Sequence, residues 1–256
     1  MRAIHSLYGA LSTEKIMKVS VFASAVRTQL WEKFYNDIKA TNKTEFEVVF
    51  VGPYAPSFTL PDNFRFIQTN VKPAQCFEIA ARNSVGDVLL QTADDIVYTP
   101  HAIDLMYEAY MSDPGHIMST CKYYSDEADF SAYQNLLGNP SDTFPILPVC
   151  GMYSREMYHK LGGADRRFRA MQWELDMYMR MWAAGMKTVF VDGRAIEVYS
   201  VGQQTPSGLR LGNVYWEADR KTILGLYTIN GVLGTTRNDK VESFSDENIL
   251  TISQGA

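Results

Sequence analysis

The 256-residue chain is poor in cysteine: Cys76, Cys121 and Cys150 are its only three. An odd, widely spaced set with no CxxC pair and no histidine at ligand spacing excludes a disulfide scaffold and a structural zinc site. It points to free buried thiols in a reducing, cytoplasmic compartment. Positive charge is also short, 24 Lys and Arg standing against 29 Asp and Glu for a formal net charge of -5. Such a balance offers no broad attraction to phosphate backbones, so nucleic acid is not an expected partner. The densest basic cluster is only Arg166, Arg167 and Arg169. No run approaches the roughly 20 apolar residues of a spanning helix, so no transmembrane segment is expected. The apolar patch from Leu7 to Leu11 is too weak for a signal-peptide core. Internal repeats and low-complexity tracts are lacking too. His5, His101, His116 and His159 are scattered away from the acidic positions and read as surface or packing residues.

What is present suits a packed enzyme-sized core: 46% of residues are hydrophobic, in a chain long enough for one large domain or two small ones. Lys18 to Ala25 is an apolar, β-branched strand signal, and Gln29 to Ile38 follows as a helix with Leu30, Phe34 and Ile38 on one face. Phe46 to Val51 is a nearly continuous apolar run closed by Gly52-Pro53, the pattern of a strand covered on both faces. A short strand is expected over Phe64 to Gln68, a helix over Pro73 to Ser84, and a strand over Val88 to Leu90 that runs straight into Thr92-Ala93-Asp94-Asp95. Alternation of this kind predicts a parallel α/β sheet with right-handed crossovers. Ligands then bind beyond the carboxyl ends of the strands, which places Ser24 to Arg27, Gly52-Pro53 and Asp94-Asp95 on one rim.

Further on, the pattern predicts a helix over Pro100 to Met111, a strand over Ile117 to Tyr124, and a polar excursion over Asp126 to Asp142. An apolar Ile146 to Tyr153, a short helix over Arg155 to Leu161, a strong helix over Trp173 to Ala184 and a strand over Lys187 to Val191 come next. Gly202 to Gly212 reads as a loop, Tyr215 to Leu226 as a helix, and the polar stretch from Thr235 as loosely held. The expected organisation is a leader over 1–17, a single domain over 18–214 and a C-terminal helical extension and tail over 215–256.

Two groups of acids carry the chemistry. Asp94 and Asp95 follow a buried strand; adjacent carboxylates repel unless a cation lies between them, so they either hold a hard divalent ion or cap the turn that follows. Trp173-Glu174-Leu175-Asp176 opens a helix, where acids are favoured by the dipole alone, yet a Glu there with its pKa raised by burial would also serve as a general base. The Met- and Tyr-rich run from Met171 to Met181 reads as core.

Taken together, these segments resemble the GT-A glycosyltransferases, in particular the large inverting family 2. Gly86 to Pro100 is similar to that family's strand entering its acidic metal motif. Ser154-Arg155-Glu156 with Leu161 to Phe168 resembles its Arg-Glu helix and Gly-Gly-x-Asp turn, and Glu174-Leu175-Asp176 with Arg180 its acidic helix. The resemblance covers roughly Val19 to Ser200. It implies a single Rossmann-like GT-A domain with a mostly parallel central sheet flanked by helices. It also implies hexosyl or related transfer from a UDP- or GDP-sugar to the hydroxyl of a glycan or other acceptor, assisted by Mn²⁺ or Mg²⁺. Residue by residue, it implies Asp95 on the metal, Asp94 at the ribose or supporting the metal, and Ser24, Arg27 and Gly52 beside the nucleoside. Arg82 and Asn83 would help hold the donor, Glu174 would be the catalytic base, and Trp173 and Asp176 would lie on the acceptor side.

The chain departs from the family in three places. Thr92 replaces the first acid of the motif, Val51-Gly52-Pro53 replaces an acid after the second strand, and Tyr199-Ser200-Val201 stands where a late metal ligand, often His, is expected. A catalytically silent nucleotide-sugar binding module and a sugar nucleotidyltransferase are the alternative readings. The second would need a Gly-rich phosphate loop that Ala23 to Arg27 does not supply.

Overall fold

The computed structural model describes residues 18–125, 128–129, 144–198, 211–246 and 249. The chain begins with β1 (Val19–Ser24), α1 (Thr28–Thr41), β2 (Phe46–Gly52), β3 (Phe64–Gln68), α2 (Pro73–Asn83) and β4 (Val88–Gln91). All seven residues of β2 and all four of β4 are buried, which is what their unbroken apolar runs require of strands covered on both faces. It continues through β5 (Ile96–Tyr98), α3 (Ala102–Met111), β6 (Ile117–Ser125), β7 (Ala128–Asp129), β8 (Gly151–Ser154) and α4 (Arg155–Lys160). Then follow α5 (Trp173–Ala183), β9 (Lys187–Glu197), α6 (Leu211–Tyr227) and a small hairpin of β10 (Thr228–Ile229) and β11 (Val232–Leu233). The expected leader over 1–17, most of the polar excursion over 126–142 and most of the loop over 202–212 lie outside the described residues.

The main sheet runs in the order β3-β2-β1-β4-β8-β6-β9-β5, with β7 added to β6. Strands β3, β2, β1 and β4 are parallel, as is the β6/β9 pair, while β8 runs antiparallel between β4 and β6. Register assigns the layers. Phe50 pairs with Ala23, and Phe22 with Val49, so Phe22 and Phe50 face opposite sides of the sheet. Trp31 and Phe34 of α1 each lie 5.4 Å from the Phe50 ring, whereas Phe77 of α2 meets Phe22 at 6.0 Å. Helices therefore cover both faces. Gln91 pairs with Phe22 and shares its face, where Tyr178 of α5 donates to it at 2.5 Å, so α5 packs on the same side as α2.

The chain leaves β1 toward β2 and β3, then returns through α2 to β4 on the other side of β1. That reversal is a topological switch point, and in an open α/β sheet it opens a crevice at the carboxyl ends of the two strands concerned. Here those ends are Ser24 to Arg27 and Thr92 to Asp95. Three differences from the sequence expectations have local causes. Helix α3 starts at Ala102 rather than Pro100, because His101 takes a left-handed φ of 64°. Strand β9 continues to Glu197, six residues past the expected end, by realigning on β6 at a bulge between Cys121 and Lys122. The stretch after Thr235 is not loose as far as residue 246: Arg166 N–H donates to Glu242 O at 2.9 Å, and Asp165 bridges Ser243.

The cysteines are free and buried as expected. Burial pushes the Cys76 thiol up to about 12, so it stays protonated and unreactive at neutral pH. None of the described helices is long and apolar enough to cross a membrane.

Candidate active site

At the switch point, the Asp94 carboxylate accepts four hydrogen bonds. They come from Val26 N–H at 2.6 Å, Arg27 N–H at 2.5 Å, Arg27 Nη1 at 2.6 Å and Trp31 Nε1 at 3.2 Å. Three of them converge on Oδ2 and one reaches Oδ1, which uses most of the carboxylate's acceptor capacity. Since α1 has no side-chain cap of its own, Asp94 also supplies negative charge at that helix's N-terminus from across the sheet. Arg27 then reaches on to Asp95 Oδ2 at 2.9 Å, bridging the two acids. The repulsion expected of adjacent carboxylates is thus relieved by a guanidinium belonging to the chain.

This geometry bears on the implied metal. Among the described residues no three His, Cys, Asp or Glu side chains gather into a ligand set. A hard divalent ion needs only one or two protein carboxylates when phosphate and water complete its shell. Asp95, 5% exposed and offering hard oxygen donors, meets that minimum, while Asp94 already accepts four hydrogen bonds from the chain.

Gly52 ends β2 against the same loop. A Cβ there would lie 1.8 Å from Ala25 O, so only glycine lets the two chain segments approach. Ser24 ends β1, and the Cys76 thiol of α2 donates to Val71 O at 3.6 Å.

The second acid group opens α5. Gln172, in a left-handed conformation at φ 66°, turns the chain into the helix. Trp173 is buried and stacks 4.6 Å from Phe77, and Tyr178 holds both Gln91 and Gly151 N–H. These contacts bring the start of α5 alongside the N-terminal half of α2 at the carboxyl rim. Glu174 is only partly exposed, and its Oε2 is enclosed with no hydrogen-bond partner among the described residues. Burial first, and then the charge of Asp219, raise its pKa to about 7 against the pull of backbone hydrogen bonds at Glu174 and Gln172. A carboxylate poised there can take up or release a proton near neutral pH.

Four expected site residues are committed to contacts within the fold. Arg82 is paired with Glu78 and Asp246 at 2.7 Å each, and Asn83 Nδ2 donates to Ile79 O at 2.8 Å. Both sit at the C-terminal end of α2, far along the helix from the rim where it begins. Asp176 is fully buried between Arg180 at 2.9 Å and Arg237 at 3.0 Å, with the Tyr227 hydroxyl donating to it, so it ties helices together instead of facing an acceptor. Trp173, 1% exposed, presents little surface to an acceptor.

The sequence reading missed Asp219. Its buried carboxylate accepts from the backbone N–H groups of Arg169, Ala170 and Met171 at 2.8 to 2.9 Å, fixing the loop that delivers Glu174. A signal existed: Asp219 falls on the buried stripe of α6 with Ile223, Leu226 and Tyr227, where an acid needs a partner.

No family model matches the chain, and no curated protein matches it. Solved structures do. The 1–349 portion of S. aureus TarS superposes with a TM-score of 0.53 at 14% identity, over 70% of this chain and 60% of that one. The same portion in complex with UDP-GlcNAc gives 0.55 at 13% identity, over 84% and 68%. Longer S. aureus TarS gives 0.52 at 14% identity, over 73% and 38%. At such identities the likeness is one of fold, and the fold is the GT-A α/β fold expected from the motifs.

Proposed function

We propose that the chain is a glycosyltransferase that moves a sugar from a UDP- or GDP-sugar to an acceptor hydroxyl, with Glu174 as general base. The observation that carries this reading is the enclosed Glu174 carboxylate, whose Oε2 has no partner among the described residues and whose pKa is near 7, on the rim that also bears the Asp94-Arg27-Asp95 bridge. That the fold is shared with a protein solved with UDP-GlcNAc supports the donor class.

In this reading the acceptor hydroxyl loses its proton to Glu174 as its oxygen attacks the anomeric carbon. The bond from that carbon to the diphosphate breaks, and its electron pair leaves with the nucleotide. Attack opposite the leaving group inverts the anomeric centre. Mg²⁺ or Mn²⁺, when bound at Asp95 with the donor's phosphates, supplies positive charge for the leaving diphosphate. Arg27 orients both acids, and Asp94 holds the Val26-Arg27 turn against which the nucleoside would lie.

Donor binding and transfer are to be compared in the wild type and in Glu174→Gln. The reading expects unchanged donor affinity and a loss of turnover of about 10²-fold or more, the range for removing a general base. Transfer by Glu174→Gln at the wild-type rate would refute the base assignment. The second reading, a nucleotide-sugar binding module without transfer, is favoured by the commitment of Asp94 to four donors of the chain; it predicts donor binding with no turnover in either protein.

A further inference from the structure

Lys72 and Arg169 come from distant parts of the chain and meet over one ring. Lys72 Nζ lies 5.4 Å and Arg169 Cζ 5.6 Å from the centroid of Tyr215, on α6. Neither forms an ion pair with a carboxylate among the described residues. Asp219, the acid in their neighbourhood, is committed to three backbone N–H groups of the Arg169 loop. Burial and the charge of Arg169 push the Lys72 pKa down, with Asp219 only partly opposing them. Two like charges gathered at one ring, at a cost to the charged form of Lys72, make a place that a bound anion would relieve.

Position says which anion. Lys72 immediately precedes α2, which opens with Pro73 and has neither a side-chain cap nor an acidic residue in its first turn, so the positive end of its dipole adds to the two cations. Ala74 N–H donates to Arg169 O at 3.0 Å, locking the two segments together. Phe77, one turn into the helix, meets Phe22 of β1 at 6.0 Å and Trp173, the neighbour of Glu174, at 4.6 Å. The cations thus lie on the same rim as the switch point, beside the candidate base, whose Oε2 faces no partner among the described residues.

We propose that Lys72 and Arg169, braced on Tyr215, form a subsite for a phosphate group of a substrate, either the diphosphate of the donor or a phosphate carried by the acceptor. Its place in a reaction rests on the glycosyl-transfer reading; the binding itself does not.

Inorganic pyrophosphate, titrated calorimetrically into the full chain at low salt and without divalent metal, tests the subsite. The expected result is measurable binding by the wild type, weakened about tenfold or more in Lys72→Gln and in Arg169→Gln, as for loss of a charged hydrogen bond. Lys72→Arg should retain it, and melting temperatures should confirm that all variants fold. Absence of pyrophosphate binding in the wild type, or equal affinity in the neutralised variants, would overturn the proposal. Competition identifies the source: displacement by UDP or GDP assigns the subsite to the donor, and simultaneous binding assigns it to an acceptor phosphate. If neither nucleotide binds while pyrophosphate still depends on Lys72 and Arg169, the subsite stands and the glycosyl-transfer reading falls.

Discussion

Glu174 holds its proton to about pH 7 because its carboxylate is enclosed and faces the charge of Asp219. The folded chain therefore binds a proton that the unfolded chain releases near the ordinary glutamate value, and between those two pH values stability falls as pH rises. At about 1.4 kcal/mol per pKa unit, ionised Glu174 costs the folded state up to about 3 kcal/mol above neutrality. Glu174→Gln should accordingly raise the melting temperature at pH 8 and leave it nearly unchanged at pH 4, by calorimetry at both. If it acts as base, wild-type transfer should rise with pH through about 7 and level off above it. Arg27 gives a second test at this scale. In Arg27→Ala the adjacent Asp94 and Asp95 lose their bridging cation, so Mn²⁺ should raise the melting temperature of the variant by more than that of the wild type. Equal shifts would mean that Arg27 and metal do not compete for Asp95. These acids were legible in sequence because each stands at the boundary of a strongly patterned element. Their surroundings were not, since Trp31 reaches Asp94 across 63 residues and Asp219 holds the loop before Glu174 across about 50.

Elements with one strong period declared themselves. β2 and β4 are buried on both faces, and their apolar runs coincide with the strands to within a residue or two. Strand β5 was not legible, because its three residues sit directly behind the acidic turn and pair with a segment about 100 residues away. The end of β9 was obscured by Asp192-Gly193. Gly193 is there because a Cβ would come 2.8 Å from Ala102 Cβ, a constraint set by α3 and invisible locally. Two substitutions probe the elements that build the rim. Gly52→Ala forces a methyl into Ala25 O and should destabilise by about 2 kcal/mol through overpacking, read as a lower urea midpoint with an unchanged slope. Asp219→Ala leaves three backbone donors of the Arg169 to Met171 loop without their acceptor and should cost about 3 kcal/mol or more, while Asp219→Asn should restore part of it.

Across the molecule, the segment after the hairpin acts as a strap. Arg237 bonds both Asp165 and Asp176, which are fully buried, and Arg167 joins Asp165 to Asp239. The strap thereby links the Gly162-Gly163 turn to helix α5, the helix that carries Glu174. Composition described this stretch only as polar, because charge in a sequence does not reveal which buried acids it will neutralise. Arg237→Ala should lower stability by about 3 kcal/mol, the usual cost of removing one partner of a buried pair. Such a loss would be read in a urea melt.

The central claim is that the crevice at the carboxyl ends of β1 and β4 receives a nucleotide-sugar. Calorimetric titration of UDP- and GDP-sugars into the chain, with and without Mn²⁺, tests it most directly. The account predicts saturable binding of at least one donor, lost in Asp95→Ala when Mn²⁺ is required. No binding heat with either nucleotide-sugar, in the presence or absence of metal, would contradict it.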